Sequence, residues 1–137
     1  MKTAFIIIDV QNILVETGFE TEKLLEKIAY LQDQARKQQV EIIYMQHIET
    51  SEALTSEDWQ LSPLLKRQEN EKVFQKRYNS IFKETGLKEY LDQQGIEQLV
   101  LCGMQTEYCV DTSVKVGFEY GYKLVIPEGA VTTFDGE

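Results

Sequence analysis

No apolar run in this sequence approaches the ~20 residues needed to cross a bilayer as a helix. No cluster of basic residues is long enough to follow a phosphate backbone either. Lysine and arginine number 14 against 23 aspartates and glutamates, a net charge of −9. The densest basic group, Lys66, Arg67, Lys72, Lys76 and Arg77, is interleaved with glutamates. Neither nucleic acid nor a membrane is expected as a partner. A small-molecule substrate stays open, because a pocket can differ from the global field. Cysteine is limited to two residues and histidine to one. So few cysteines predict free thiols in a reducing compartment, the cytoplasm, rather than a disulfide framework. Repeats, low-complexity tracts and interdomain linkers are also missing.

What is present fits one domain spanning 1–137, with 42% hydrophobic and 27% charged residues. Residues 3–8 form a continuous isoleucine-rich run that ends at Asp9. It is too short, and lacks the small-residue cleavage site, to read as a signal peptide, so a central parallel strand covered on both faces is predicted. Leu24, Leu25, Ile28, Leu31 and Ala35 recur at helical spacing and predict a helix over 21–37, with Thr21 or a neighbour as its cap. Residues 40–45 read as a second strand. From Gln46 to Gln75 the pattern is irregular, with a loop, a short helix near 61–67 and a short strand near 71–74. A helix over 84–94 with Gly95 as its C-cap, a strand over 97–102, a helix over 107–120 and a strand over 122–126 follow. Residues 129–137 read as the start of a connecting loop. Strands alternating with helices predict βαβ units in a three-layer α/β/α, Rossmann-like fold with a mostly parallel sheet.

In an open sheet of this kind the binding crevice lies beyond the carboxyl ends of the strands. Three polar residues are delivered there. Asp9 follows the first strand, Lys76 the short third strand, and Cys109 lies just after the fourth, at the start of a helix. A helix N-terminus and a nearby lysine favour a thiolate. A carboxylate disfavours it, yet can accept the thiol proton and pass it to a leaving group. Backbone N–H groups at the same turn can hold an oxyanion. Cysteine-dependent acyl transfer from a carbon–nitrogen bond is the chemistry that suits this set. Each residue also has a plainer reading: Asp9 as a loop cap, Lys76 as a surface lysine, Cys109 as core filler. Cys102, inside its strand, is read as core.

The sequence resembles the isochorismatase-like cysteine hydrolase family, to which nicotinamidases and isochorismatase also belong. The likeness rests on Ile6-Ile7-Ile8-Asp9-Val10-Gln11-Asn12, on Lys76-Arg77-Tyr78-Asn79-Ser80-Ile81-Phe82, on Cys102-Gly103-Met104-Gln105-Thr106-Glu107-Tyr108-Cys109-Val110, and on Gly129-Ala130-Val131-Thr132-Thr133-Phe134. The resemblance implies strand order 3-2-1-4-5, Asp9 as general base and acid, Lys76 as support for the thiolate, and Cys109 as nucleophile. It also implies a cis peptide between Met104 and Gln105 and an oxyanion hole from the backbone N–H groups of Gln105 and Cys109. The activity implied is hydrolysis of an amide or ureide bond of a small metabolite through an acyl-enzyme. The alternative is a silent member that only binds a metabolite, or an isochorismatase-type member that cleaves a vinyl ether without a cysteine adduct. A depressed Cys109 pKa would favour the enzyme, and a normal or raised one the silent binder.

Some family members hold a metal with one aspartate and several histidines. With His47 alone, no metal and no other cofactor is expected here. His47 is read as a loop residue or pocket wall, and Trp59 as a pocket residue or the packing of a lid or subunit interface. Phe82 is read as pocket or core, Gln11 and Asn12 as substrate contacts or ties for the Asp9 loop, and Tyr108 as pocket or as packing against a neighbouring helix or subunit. Similar proteins add a helix and a sixth strand after the position of Glu137. The expectation is a domain shortened at that end, covered by association into a homo-oligomer.

Overall fold

The computed structural model describes residues 1–134. Strands β1 (Thr3–Ile8), β2 (Glu41–His47), β3 (Lys72–Lys76), β4 (Gln98–Met104) and β5 (Lys123–Val125) form a parallel sheet in the order β3-β2-β1-β4-β5. A two-residue strand, β6 (Val131–Thr132), pairs with the end of β4, beyond the reach of β5. The helices are α1 (Asn12–Thr17), α2 (Thr21–Lys37), α3 (Leu87–Gln93) and α4 (Asp111–Glu119). The result is the three-layer α/β/α fold expected from the sequence, with the strand order that the resemblance implied.

The continuous apolar run of β1 is explained by its two covered faces. Ala4, Ile6 and Ile8 point into a core shared with Leu87, Leu91 and Val110 on the α3 and α4 side. Phe5 and Ile7 alternate with them into a second core, shared with Leu24 and Ile28 of α2. Full burial of one such side chain is worth roughly 1.5–3 kcal/mol. Alternation therefore locks the register, since a one-residue slip would exchange every contact.

At the end of β4, Gly103 has φ +118° and lies opposite Ile8; a Cβ there would stand 2.0 Å from the Ile8 carbonyl oxygen. Only glycine lets β4 lie this close to the end of β1, where the polar residues begin. The peptide between Met104 and Gln105 is cis, as the resemblance implied.

Several boundaries differ from the expectation. The helix predicted over 107–120 opens as a π turn (Thr106–Val110), with α4 proper starting at Asp111, because the wider turn carries buried Cys109 and Val110 inward. The helix predicted from residue 84 starts at Leu87, after Gly86 in the left-handed region and with Thr85 Oγ1 accepting from the Leu87 N–H. Gly95, at φ +70°, closes α3 as predicted, the Ile96 N–H donating back to Leu91 O. Thr21 does not cap α2: the N-cap is Glu20, and the Thr21 hydroxyl donates to Val15 O. The short helix predicted near 61–67 is one 3-10 turn, Pro63–Leu65. The loop predicted from residue 129 contains β6; its last positions, 135–137, lie outside the described residues. Helix α1 was not anticipated, since its six residues bury none of their side chains and carry no periodic signal.

Candidate active site

β1 ends one residue before Asp9. The Asp9 N–H still donates to Met45 O, adding one rung to the ladder. Its φ of +55° then turns the chain out of the sheet, a conformation that aspartate tolerates better than most residues. β3 ends on Lys76, which is the last residue of the strand and not, as expected, the residue after it. The π turn after β4 supplies Cys109. All three are buried: Asp9 is 2% exposed, Lys76 1% and Cys109 7%.

Lys76 joins the other two. Its Nζ lies 3.0 Å from Asp9 Oδ2 and 3.1 Å from Cys109 Sγ, and donates to Tyr78 O at 2.9 Å. The second carboxylate oxygen, Asp9 Oδ1, is the only buried side-chain polar atom among the described residues without a hydrogen-bond partner. Such an orphan is costly unless something uses it. Burial, the largest influence, raises the Asp9 carboxyl above its ordinary value, while the Lys76 ammonium works the other way.

The thiol departs from the sequence expectation. Burial and then the Asp9 charge push Cys109 up to about 11, against the opposing pull of Lys76. Cys109 lies in the π turn that runs directly into α4. At neutral pH the resting group is a thiol. Cys102 is fully buried, and its thiol is also raised by burial, in keeping with a core residue.

These residues open into a cleft of about 270 Å³, lined by Asp9, Leu14, His47, Glu49, Trp59, Arg77, Asn79, Gln105, Tyr108 and Cys109. His47, Trp59, Gln105 and Tyr108 are thus brought to the cleft. Three other pocket candidates are not. Phe82 packs in the core, stacked on Tyr122 and edge-on to Tyr120. Gln11 is fully buried and ties His47 to Trp59, donating to both carbonyls at 2.9 and 2.7 Å. Asn12 donates to Glu57 O and holds the same strap from outside. Leu14, Glu49, Arg77 and Asn79 were missed. Leu14 sits on the unanticipated α1; Glu49, Arg77 and Asn79 lie within three residues of His47 or Lys76, a proximity that could have marked them. Among the described residues no group of three or more histidine, cysteine, aspartate or glutamate side chains is arranged to hold a metal ion.

The chain is similar to known proteins along nearly its whole length. The family described as the Isochorismatase domain matches residues 3–137. The isochorismatase family protein YddQ of Bacillus subtilis is 28% identical over 142 residues, covering 97% of this chain and 79% of YddQ. Streptothricin hydrolase of Streptomyces noursei is 28% identical over 138 residues, and here the chain covers only 50% of the relative's length. The crystal structure of an isochorismatase from Pseudomonas putida KT2440 superposes with a TM-score of 0.89 at 31% identity, over 96% of this chain and 71% of that one.

Proposed function

Because the chain belongs to the isochorismatase family, we propose that it is a cysteine-dependent hydrolase of a carbon–nitrogen bond, amide or ureide, in a small metabolite. The observation that carries this reading is the Lys76 ammonium held between Asp9 Oδ2 at 3.0 Å and Cys109 Sγ at 3.1 Å, with Asp9 Oδ1 left open. A relative about twice as long is named streptothricin hydrolase; the cleft of about 270 Å³ here favours a small ligand.

In this mechanism Cys109 Sγ attacks the substrate carbonyl carbon as its proton passes to Asp9 Oδ1. The backbone N–H groups of Gln105 and Cys109 receive the oxyanion. The tetrahedral intermediate collapses, the carbon–nitrogen bond breaks, and the departing amine takes the proton from Asp9. Water, giving a proton to Asp9, then cleaves the thioester; the acid leaves and the proton returns to sulfur. Lys76 holds Asp9 Oδ2 throughout and balances charge on the sulfur. The raised thiol counts against the standing thiolate that would have favoured an enzyme; the hydrolase reading then rests on Asp9 as an adjacent base that takes the thiol proton as sulfur attacks. No step requires a metal, and a cytoplasmic, reducing setting would keep Cys109 free.

The raised thiol also favours a second reading, a silent member that binds a metabolite without turning it over. One experiment separates the two. Incubation with a panel of small amides and ureides, followed by intact-mass measurement after rapid acid quench, should trap an acyl adduct on Cys109. Cys109→Ala should lose both adduct and turnover. Turnover that persists in Cys109→Ala, or binding with neither adduct nor product, overturns the hydrolase reading.

A further inference from the structure

His47 at the end of β2 and Lys76 at the end of β3 are register partners in the parallel ladder. An ammonium has three hydrogens and accepts none. Lys76 Nζ nevertheless has four acceptors in reach: Tyr78 O at 2.9 Å, Asp9 Oδ2 at 3.0 Å, Cys109 Sγ at 3.1 Å and His47 Nδ1 at 3.2 Å. Since Nζ only donates, any hydrogen bond between the two has Nδ1 as its acceptor. The imidazole proton then sits on Nε2, 3.3 Å from Glu49 Oε1. The backbone of His47 is held as firmly, with buried Gln11 accepting from its N–H and donating to its carbonyl, both at 2.9 Å. Ring and backbone are each fixed at both ends, unlike those of a free loop residue.

With four acceptors for three hydrogens, one contact is always unmade. A thiol sulfur is a weak acceptor, whereas a thiolate is charged and strong. We propose that His47 is a positioning residue for Lys76: its Nδ1 holds one ammonium hydrogen while Cys109 is a thiol and yields it to Sγ once the thiol proton has moved to Asp9. This rests on the reading of Cys109 as nucleophile. The consequence is a nucleophile kept quiet at rest, since every thiolate must first win a hydrogen from His47. The charged and titratable groups around the ring are Lys76 from β3, Asp9 from the turn after β1, Cys109 from the π turn, and Glu49 and Arg77 at the cleft.

Alkylation of Cys109 by iodoacetamide, located by peptide mass spectrometry, reads this without any substrate. His47→Leu should react severalfold, up to about tenfold, faster than wild type in mildly alkaline buffer, the effect of one removed hydrogen-bond competitor. His47→Asn, whose Oδ1 replaces Nδ1 as acceptor, should return the rate towards wild type. A His47→Leu rate equal to or below wild type, or His47→Asn matching His47→Leu, overturns the proposal. Should His47→Leu fail to fold, His47→Ala takes its place and is read by the same outcomes: faster alkylation supports the proposal, and a rate equal to or below wild type sinks it. Failure of every amide and ureide to react, with this alkylation pattern intact, would remove the hydrolase reading and leave the role of His47 standing.

Discussion

Asp9 acts on Cys109 in two opposed ways, and one substitution separates them. Its negative charge raises the thiol, second only to burial among the influences on Cys109. Its open Oδ1 is the base that takes the proton in the proposed mechanism. Asp9→Asn removes the charge and the base together. The Cys109 pKa should therefore fall from about 11, and alkylation at a fixed neutral pH should accelerate. Turnover should nonetheless drop by about 10²–10⁴, the usual worth of a general acid–base. Parallel stopped-flow alkylation and product assays check both halves. Slower alkylation in Asp9→Asn would mean that Asp9 promotes the thiolate, contrary to the charge relation described above.

Between elements, the packing of α2 against β2 and the segment before β3 depends on one buried polar group. Glu71 is paired with Arg36 of α2 at 2.9 Å, accepts from Tyr44 of β2 at 2.8 Å, and accepts from the Gln68 N–H at 2.9 Å. Tyr44 in turn accepts from Gln32 of α2. Burial works to raise the Glu71 carboxyl, but Arg36, the Gln68 N–H and Tyr44 together hold it below its ordinary 4.5. A carboxyl lowered on folding contributes stability that is fully present above the unfolded value near 4.5, and that contribution is lost as pH falls through the lower folded value. Glu71→Gln should therefore cost about 2–3 kcal/mol at neutral pH, through loss of the charged hydrogen bonds and an uncompensated Arg36. The gap from wild type should close in acid. Urea titrations at several pH values measure this, and a pH-independent difference would count against it.

For the chain as a body, two expectations concern partners. No helix among the described residues is long and apolar enough to cross a membrane. Phe118 and Tyr120 at the end of α4 are 72% and 51% exposed, and Ile126, just after the edge strand β5, is 42% exposed. Exposed aromatics beside an open parallel edge favour self-association, so light scattering should find a dimer or larger; a monomer across the working concentration range would end that expectation. Metal independence is tested separately. Activity should survive prolonged chelation and dialysis, and a stoichiometric metal lost together with activity would reverse it.

The alternating strands and helices, and the placing of Asp9, Lys76 and Cys109 at the sheet's carboxyl edge, were legible in the residues themselves; the strand order and the roles of the three were what the resemblance implied. A run such as Thr3–Ile8 is apolar on every side because both its faces are buried, and a polar residue ending that run, Asp9, must fall at the sheet's carboxyl edge. Local periodicity carries that much, and the blocks around Lys76 and Cys109 carried the rest. Distances and competition between groups were not legible. Whether Lys76 or Asp9 prevails over the thiol depends on burial, which comes from segments far apart in the chain closing over Cys109. That is why a depressed thiol was expected and a raised one is found. Phe82 joined the core and Gln11 became a clamp for the same reason: a side chain's role depends on which neighbours the register brings beside it. The pairing of His47 with Lys76, 29 positions apart, exists only once β2 and β3 lie side by side.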